Sequence, residues 1–283
     1  MVKRVLKEVV KTVPPVRRLL DNRDHYRTQA ANLQAQNHEL MVHRDQLIGE
    51  KTQLLQDEQN VRVMLSKRYI RGNGIEIGAA HMPLPVFEGA KVSYVDVAPT
   101  DEIRRRWPEV AKLDLVDVTI VDEGERLDTV INASQEFVIA NHFLEHCLDP
   151  IGAIITQHRV LKPNGILYFA VPDKRHTFDV NRPLTTYQHL LQEHKYADER
   201  FRREHTEEYV RLAEKRTKSV AKRVNELLKT DYRPHFHVWT QVGIMELFIG
   251  AIRDFDLRFV FEAVVQNNHE TIVVLRKLDT PSV

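Results

Sequence analysis

The sequence predicts an α/β protein, a mostly parallel sheet closed by an antiparallel hairpin, with a long helix before it and a helical insertion within it. Three observations predict this. From Gly74 onward, apolar runs of strand length alternate with helix-length segments, the pattern of a parallel sheet with crossover connections. The first run, Gly74-Ile75-Glu76-Ile77-Gly78-Ala79-Ala80-His81, leads into a small-residue turn. With little or no Cβ bulk, such a turn lets the backbone approach a ligand. The last two runs, 257–266 and 270–277, are separated only by Asn267-Asn268-His269, a hairpin turn.

Composition narrows the class. With 283 residues there is room for one full α/β domain and an appendage. Lys+Arg number 41 and Asp+Glu 40, so the overall charge disfavours a nucleic-acid partner. The single cysteine, Cys147, cannot form an internal disulfide and fits a reducing compartment. No apolar run is long enough to span a bilayer, and no signal-peptide pattern is present, so the expected location is cytoplasmic.

Residues 1–20 carry Lys3, Arg4, Lys7, Lys11, Arg17 and Arg18 against Glu8, interleaved with Val2, Val5, Leu6, Val9 and Val10. This reads as a short basic amphipathic helix ended by Pro14-Pro15. It is suited to an anionic surface at the inner membrane; a solvated terminus is the alternative. In the helical arm that follows, 21–68, Leu33, Leu40, Leu47, Leu54 and Val61 fall seven apart, with Met41, Ile48 and Leu55 beside them. The stripe predicts a coiled coil and a homo-oligomer. The second core positions, Asn37, Arg44, Lys51 and Glu58, are polar, and a single helix folded on the domain is the alternative.

The domain proper spans 69–283. After the first strand, Pro83 and Pro85 allow at most an irregular helix. Lys91–Asp96 is a second strand ending in an acid 20 residues beyond Glu76, where a carboxylate can take both ribose hydroxyls of a nucleoside. Asp101–Trp107 is a short helix, and a third strand lies within 113–121. Its exit, Asp122-Glu123-Gly124-Glu125, is acidic and could meet an adenine amino group. Phe137–Asn141 is a buried fourth strand, and His142–His146 starts the next helix. Another helix begins at Asp149-Pro150, Lys162–Gly165 is a tight turn, and Ile166–Val171 is a fifth strand. Residues 180–231 leave this alternation, with helices at 187–194 and 198–228. An insertion at the carboxyl end of the sheet reads as a lid over the ligand crevice. Residues 240–253 form the last helix.

The stretches GIEIGAAH, VSYVDVAP, FVIANHFLEHCLDP and VLKPNGILYFAVPDKRHTFD resemble class I S-adenosylmethionine-dependent methyltransferases over Gly74–Lys277. The turn Gly78-Ala79-Ala80-His81-Met82 fails the dinucleotide pattern G-x-G-x-x-G. The resemblance implies a Rossmann-like sheet of seven strands with the last antiparallel, and S-adenosyl-L-methionine as cofactor. Position by position it implies that Glu76, Gly78 and Ala80 line the methionine part, that Asp96 binds the ribose, that Asp122 or Glu123 lies near the adenine, and that Asn141 closes the methionine side. VPDKRHTFD and FHVW look most like bacterial enzymes encoded with glycosyltransferases, which implies O-methylation of a sugar in a surface polysaccharide or lipid-linked glycan.

A sugar hydroxyl is a weak nucleophile and needs a base or a metal. His142, His146 and Asp173 are the candidate bases, and Lys174 and Arg175 would steer the acceptor. His142, Glu145 and His146 spell H-x-x-E-H, where some class I methyltransferases hold magnesium through E-x-x-E-H. Imidazole suits zinc, nickel or iron better. A divalent metal is thus a candidate, with His142, Glu145, His146 and His237 as ligands; His235 and His237 would share one face of an extended chain. Glu145 and His146 as packed helix residues are the alternative. Trp239 would stack on a sugar or fill the core. Two rival functions remain open: methylation of a small quinone- or phenol-like acceptor in an apolar pocket under 180–231, and a non-catalytic scaffold with a degenerate domain.

Overall fold

The computed structural model describes residues 14–107 and 110–279. The basic stretch up to residue 13 lies outside the described residues, and so does Pro108. The chain divides into two units, 1–60 and 61–283.

The first unit is helix α1, Pro14–Gln59. Pro14 and Pro15 stand in its first turn, where proline is tolerated because the amide it lacks has no partner there. Its heptad residues Leu33, Leu40, Leu47, Met41 and Ile48 are all exposed.

The second unit begins with α2, Val61–Tyr69, which the sequence reading had joined to the arm. It breaks from α1 at Asn60 and buries Val63, Leu65 and Ser66 in the domain. The strands are β1 (Gly72–Ile77), β2 (Ala90–Asp96), β3 (Ile120–Val121), β4 (Gln135–Asn141), β5 (Leu161–Pro172), β6 (Phe259–Asn267) and β7 (Glu270–Lys277). They form one seven-stranded sheet in the order β3-β2-β1-β4-β5-β7-β6. Pairings from β3 to β5 are parallel, and β7 runs antiparallel to both β5 and β6. No helix joins β1 to β2, as Pro83 and Pro85 predict.

Both faces of the sheet are covered, which explains the continuous apolar runs. Side chains alternate across it. Val138, Ala140, Leu167, Phe169, Val273 and Leu275 face one core with α4 (Pro150–Val160) and α8 (Gln241–Asp254). Phe137, Ile139, Tyr168, Ala170, Ile272 and Val274 face the other, with Leu65 of α2. Trp239 is 1% exposed in the first core, which removes it from any sugar-stacking role.

Several local expectations change. The third strand, expected within 113–121, is Ile120–Val121; before it the Val116 amide donates to the Ala80 carbonyl (2.9 Å) and the Val118 amide to the hydroxyl of Thr100 in α3 (Thr100–Arg106) (2.9 Å), off the sheet. The 162–165 turn is a bulge inside β5, with Asn164 at φ 65°. The predicted helix at His142 is a 3-10 turn, Leu144–His146. The His142 amide instead donates to the Ala170 carbonyl (2.7 Å) and φ is 51°, so the chain leaves the sheet sharply. In the insertion, α5 is Tyr187–Tyr196, and the single helix expected over 198–228 is two, α6 (Glu199–Leu212) and α7 (Val220–Lys229). Lys215 and Ser219, at φ 55° and 54°, break it.

Candidate functional site

The carboxyl ends of β1, β2 and β4 carry the candidate cofactor residues. Gly78 sits at φ 65°, and a Cβ there would meet nothing within 4 Å. A left-handed turn that is open on the ligand side is what a close backbone approach requires. Ala80 is also left-handed, at φ 47°, and its carbonyl accepts from the Val116 amide (2.9 Å). Glu76 is 1% exposed and bound to the Leu84 amide at 2.9 and 3.2 Å, so it holds the turn from within. Burial pushes its carboxyl up to about 7.

Asp96 ends β2. One carboxylate oxygen accepts from the Val97 amide (2.8 Å); burial and then the nearby Glu123 charge push its pKa up, although the Val97 amide opposes them. Asn141 ends β4, and both polar atoms of its carboxamide are buried without a partner among the described residues. A buried amide in that state fits the polar end of a ligand. Gly78, Asp96 and Asn141 thus offer an open turn, a carboxylate and an orphaned amide at the carboxyl ends of three adjacent strands, a set that fits S-adenosylmethionine.

The acidic exit of β3 is tied up differently. Asp122 accepts from the Thr129 hydroxyl (2.6 Å) and amide (2.7 Å), which against burial bring its carboxyl below the usual range. It shapes its own turn. Glu123 and Glu125 share Arg233 at 2.9 and 2.8 Å, and a cleft of about 380 Å³ opens there against Leu148 and Asp149. Gly124 has no room for a Cβ, which would stand 2.5 Å from Ile77 and 2.8 Å from Phe143.

The candidate bases separate sharply. His142 Nε2 lies 2.8 Å from Glu270, which Arg62 also binds (2.7 Å), and its Nδ1 lies 3.4 Å from Glu145. Against burial, Glu145 and Glu270 raise His142 to about 9. It is a cation near neutral pH, not a base. Asp173 is 1% exposed and clamped by Arg175 at 2.6 and 3.0 Å; against burial, that guanidinium holds it low. The same clamp takes Arg175 away from acceptor steering, and the Lys174 ammonium is bound to the Arg182 carbonyl.

His146 differs. Its Nδ1 faces the carbonyls of Arg233 (2.9 Å) and Pro234 (3.1 Å). Carbonyls only accept, so Nδ1 carries the hydrogen and Nε2 keeps its lone pair. Burial, and beyond it the neighbouring His235, lowers its pKa. The His146 and His235 rings stand 4.8 Å apart, edge to face.

The predicted metal set is divided by the fold. His237 lies against Glu193, while His142 is bound by Glu270. The group that gathers is Glu145, His146 and His235, whose donor atoms lie within 4.8 Å of one another. Glu145 is 1% exposed and both its carboxylate oxygens lack a hydrogen-bond partner among the described residues. His235 is oriented by Asp179, Nδ1 to Oδ2 2.6 Å. Two imidazoles and a carboxylate suit zinc, iron or nickel. Sequence reasoning missed Asp179, Arg233 and the place of His235, because these meetings join residues 56 to 110 positions apart.

A family model described as a methyltransferase domain matches residues 43–216. No curated protein matches the sequence. Among solved structures, a SAM-dependent methyltransferase from Aquifex aeolicus is similar at 14% identity, covering 74% of this chain and 84% of that one, with a TM-score of 0.41. A SAM-dependent methyltransferase from Thermotoga maritima is similar at 14% identity, covering 83% and 97%, with a TM-score of 0.41. The family match spans more than half of the chain, so this protein belongs to the methyltransferase-domain family, as a class I enzyme that takes its methyl group from S-adenosylmethionine.

Proposed function

We propose that the protein O-methylates a hydroxyl of a polyhydroxylated acceptor, a sugar of a cell-surface polysaccharide or lipid-linked glycan. The observation that carries this is His146: two carbonyls fix its Nδ1–H, and Nε2 is left to accept a proton. Displacement at a sulfonium methyl needs the acceptor oxygen in line with methyl and sulfur, and a weak nucleophile gains from losing its proton as it attacks. His146 takes that proton. Asp96 and Asn141 hold the cofactor, and the Glu145 carbonyl, accepting from the Phe236 amide (2.7 Å), fixes the turn that carries His146.

The surroundings favour a sugar over an apolar phenol. Beside His146 stand His235 and Arg233, Arg233 pairs with Glu123, and Phe178, 53% exposed, lies 4.8 Å from the His235 ring. A polar wall with one exposed aromatic ring suits a hydroxyl-rich ring with an apolar face. Beneath the insertion lie Arg182, Asp179, Glu193 and His205, all buried and polar, where the quinone reading needs an apolar pocket. Incubation with methyl-labelled S-adenosylmethionine and a panel of free sugars, nucleotide sugars and catechols tests the choice. Label in catechols alone overturns the glycan reading.

A second reading is favoured by the buried Glu145 carboxylate, which pairs with His142 at 3.4 Å but takes no hydrogen bond among the described residues. Glu145, His146 and His235 would hold a divalent ion, which would supply Lewis-acid polarisation of the acceptor hydroxyl. Turnover abolished by chelation and restored by the metal alone would select it over His146 as the base.

The exposed apolar stripe of α1 supports self-association through that helix. Light scattering of the intact protein beside Leu40→Glu/Leu47→Glu tests this; an unchanged mass removes it. No helix among the described residues is long and apolar enough to cross a membrane. Cytoplasmic placement with peripheral attachment through the basic terminus is tested by sedimentation with anionic vesicles, with Lys3, Arg4, Lys7 and Lys11 changed to glutamate.

A further inference from the structure

A second cluster of imidazoles lies under the insertion. His189 and Glu193 stand one turn apart on α5 and so share a helix face. His189 Nε2 lies 3.0 Å from Glu193 Oε1, and His205 Nε2, from α6, binds the same oxygen. His237 Nε2, on the chain returning to the sheet, lies 3.6 Å from the other oxygen, Oε2. The His205 and His237 rings are 4.7 Å apart, and those of His189 and His205 5.4 Å.

Three members of this group are buried, His189 is at its outer edge, and the group is incompletely satisfied. Glu193 is 3% exposed, His205 9% and His237 0%. Both ring nitrogens of His237 and Glu193 Oε2 have no hydrogen-bond partner among the described residues. Polar atoms are not left this way in an interior unless something else meets them.

We propose that His189, Glu193, His205 and His237 form a structural zinc site. Zinc bonds of about 2.0–2.1 Å in a tetrahedron set neighbouring donors about 3.3–3.5 Å apart. The donor atoms of His189, Glu193 and His205 already lie within 4.8 Å of one another, and His237 Nε2, 3.6 Å from the second Glu193 oxygen, completes the shell by moving in as the ion enters. Three imidazoles and one carboxylate complete the shell and leave no position for substrate, which is the arrangement of a structural rather than a catalytic ion. The ion joins α5, α6 and the returning chain, so it fixes the insertion on the domain. Nothing in this site depends on the acceptor or on His146.

The test is cobalt loading of the intact, metal-stripped protein, with zinc content measured in parallel. The expected result is an intense tetrahedral ligand-field band and one tightly held zinc per chain. His189→Asn, which alters the outermost ligand, is expected to weaken zinc binding at least tenfold and dim the band while leaving the fold intact by circular dichroism. Glu193→Gln is expected to abolish the band, and His146→Asn to keep it. Chelation should lower the melting temperature and admit protease cleavage within 187–229. A folded wild-type protein that takes up no tetrahedral cobalt overturns the proposal. Undiminished loading in both His189→Asn and Glu193→Gln overturns it equally.

Discussion

His142 Nε2 lies 2.8 Å from Glu270 Oε2, across 128 residues of chain. The first residue beyond β4 is thereby tied to the first residue of β7, and Arg62 of α2 binds the same carboxylate. Because His142 rises to about 9 in the folded protein, the pair has a definite pH signature. Below about pH 6.5 the imidazole is charged in the unfolded chain too, and its full contribution to stability is present. That contribution fades as pH climbs through about 9. The side chain is 35% exposed, so after allowance for solvent screening the pair is worth about 1–2 kcal/mol. His142→Gln should therefore lose stability in urea melts at pH 6 and approach the wild type above pH 9. A constant difference across that range would contradict the assignment.

Glu76 carries the opposite sign. Its carboxyl rises to about 7, so between pH 4.5 and 7 the unfolded chain ionises while the folded one resists. Stability falls over that interval by about 3 kcal/mol and then levels. Glu76→Gln keeps an oxygen for the Leu84 amide and removes the charge. It should flatten the interval and raise the melting temperature at pH 8. An unchanged pH profile would sink this account.

Cofactor binding is predicted to rest on Asp96 and Gly78. Asp96→Ala should weaken S-adenosylhomocysteine binding at least tenfold in calorimetry, the loss expected of about 1.4 kcal/mol or more. Gly78→Ala adds a methyl group to the open side of the turn at φ 65°. It should cost about 1 kcal/mol in stability and weaken the same ligand. Wild-type affinity in both variants would move the cofactor elsewhere.

His146→Gln should lower kcat about 10²- to 10⁴-fold with the KM for S-adenosylmethionine unchanged. Since burial lowers the His146 pKa, the acidic limb of the wild-type kcat profile should lie below pH 6.5, activity rising as the imidazole loses its proton. The limb should vanish in the variant. A limb that survives belongs to another group.

Much of the sheet was legible because each strand is marked locally. The apolar runs of β4 and β5 sit between two covered faces, and Asn267-Asn268-His269 leaves room only for a hairpin. Gly78 was legible as a turn for the same local reason. The site beyond the sheet was not, because long-range contacts decide it. His235 and His237 were expected on one face, as an extended chain would place them. The carbonyls of His235 and Phe236 are instead gripped by Arg182 at 2.6 and 3.0 Å. That grip leaves His235 against Asp179 and His237 against Glu193. His142 looked like a base because nothing in its neighbourhood announced Glu270.

The Arg182 grip also bears on how this fold can vary. Its guanidinium, fully buried, spans 53 residues to close the insertion at its base. The entropy of closing a loop grows only with the logarithm of its length, so doubling the enclosed segment costs about 0.6 kcal/mol. A clasp of this kind makes the enclosed chain a replaceable cassette. Segments of other lengths could be grafted between Arg182 and His235 with the seven-stranded sheet left untouched.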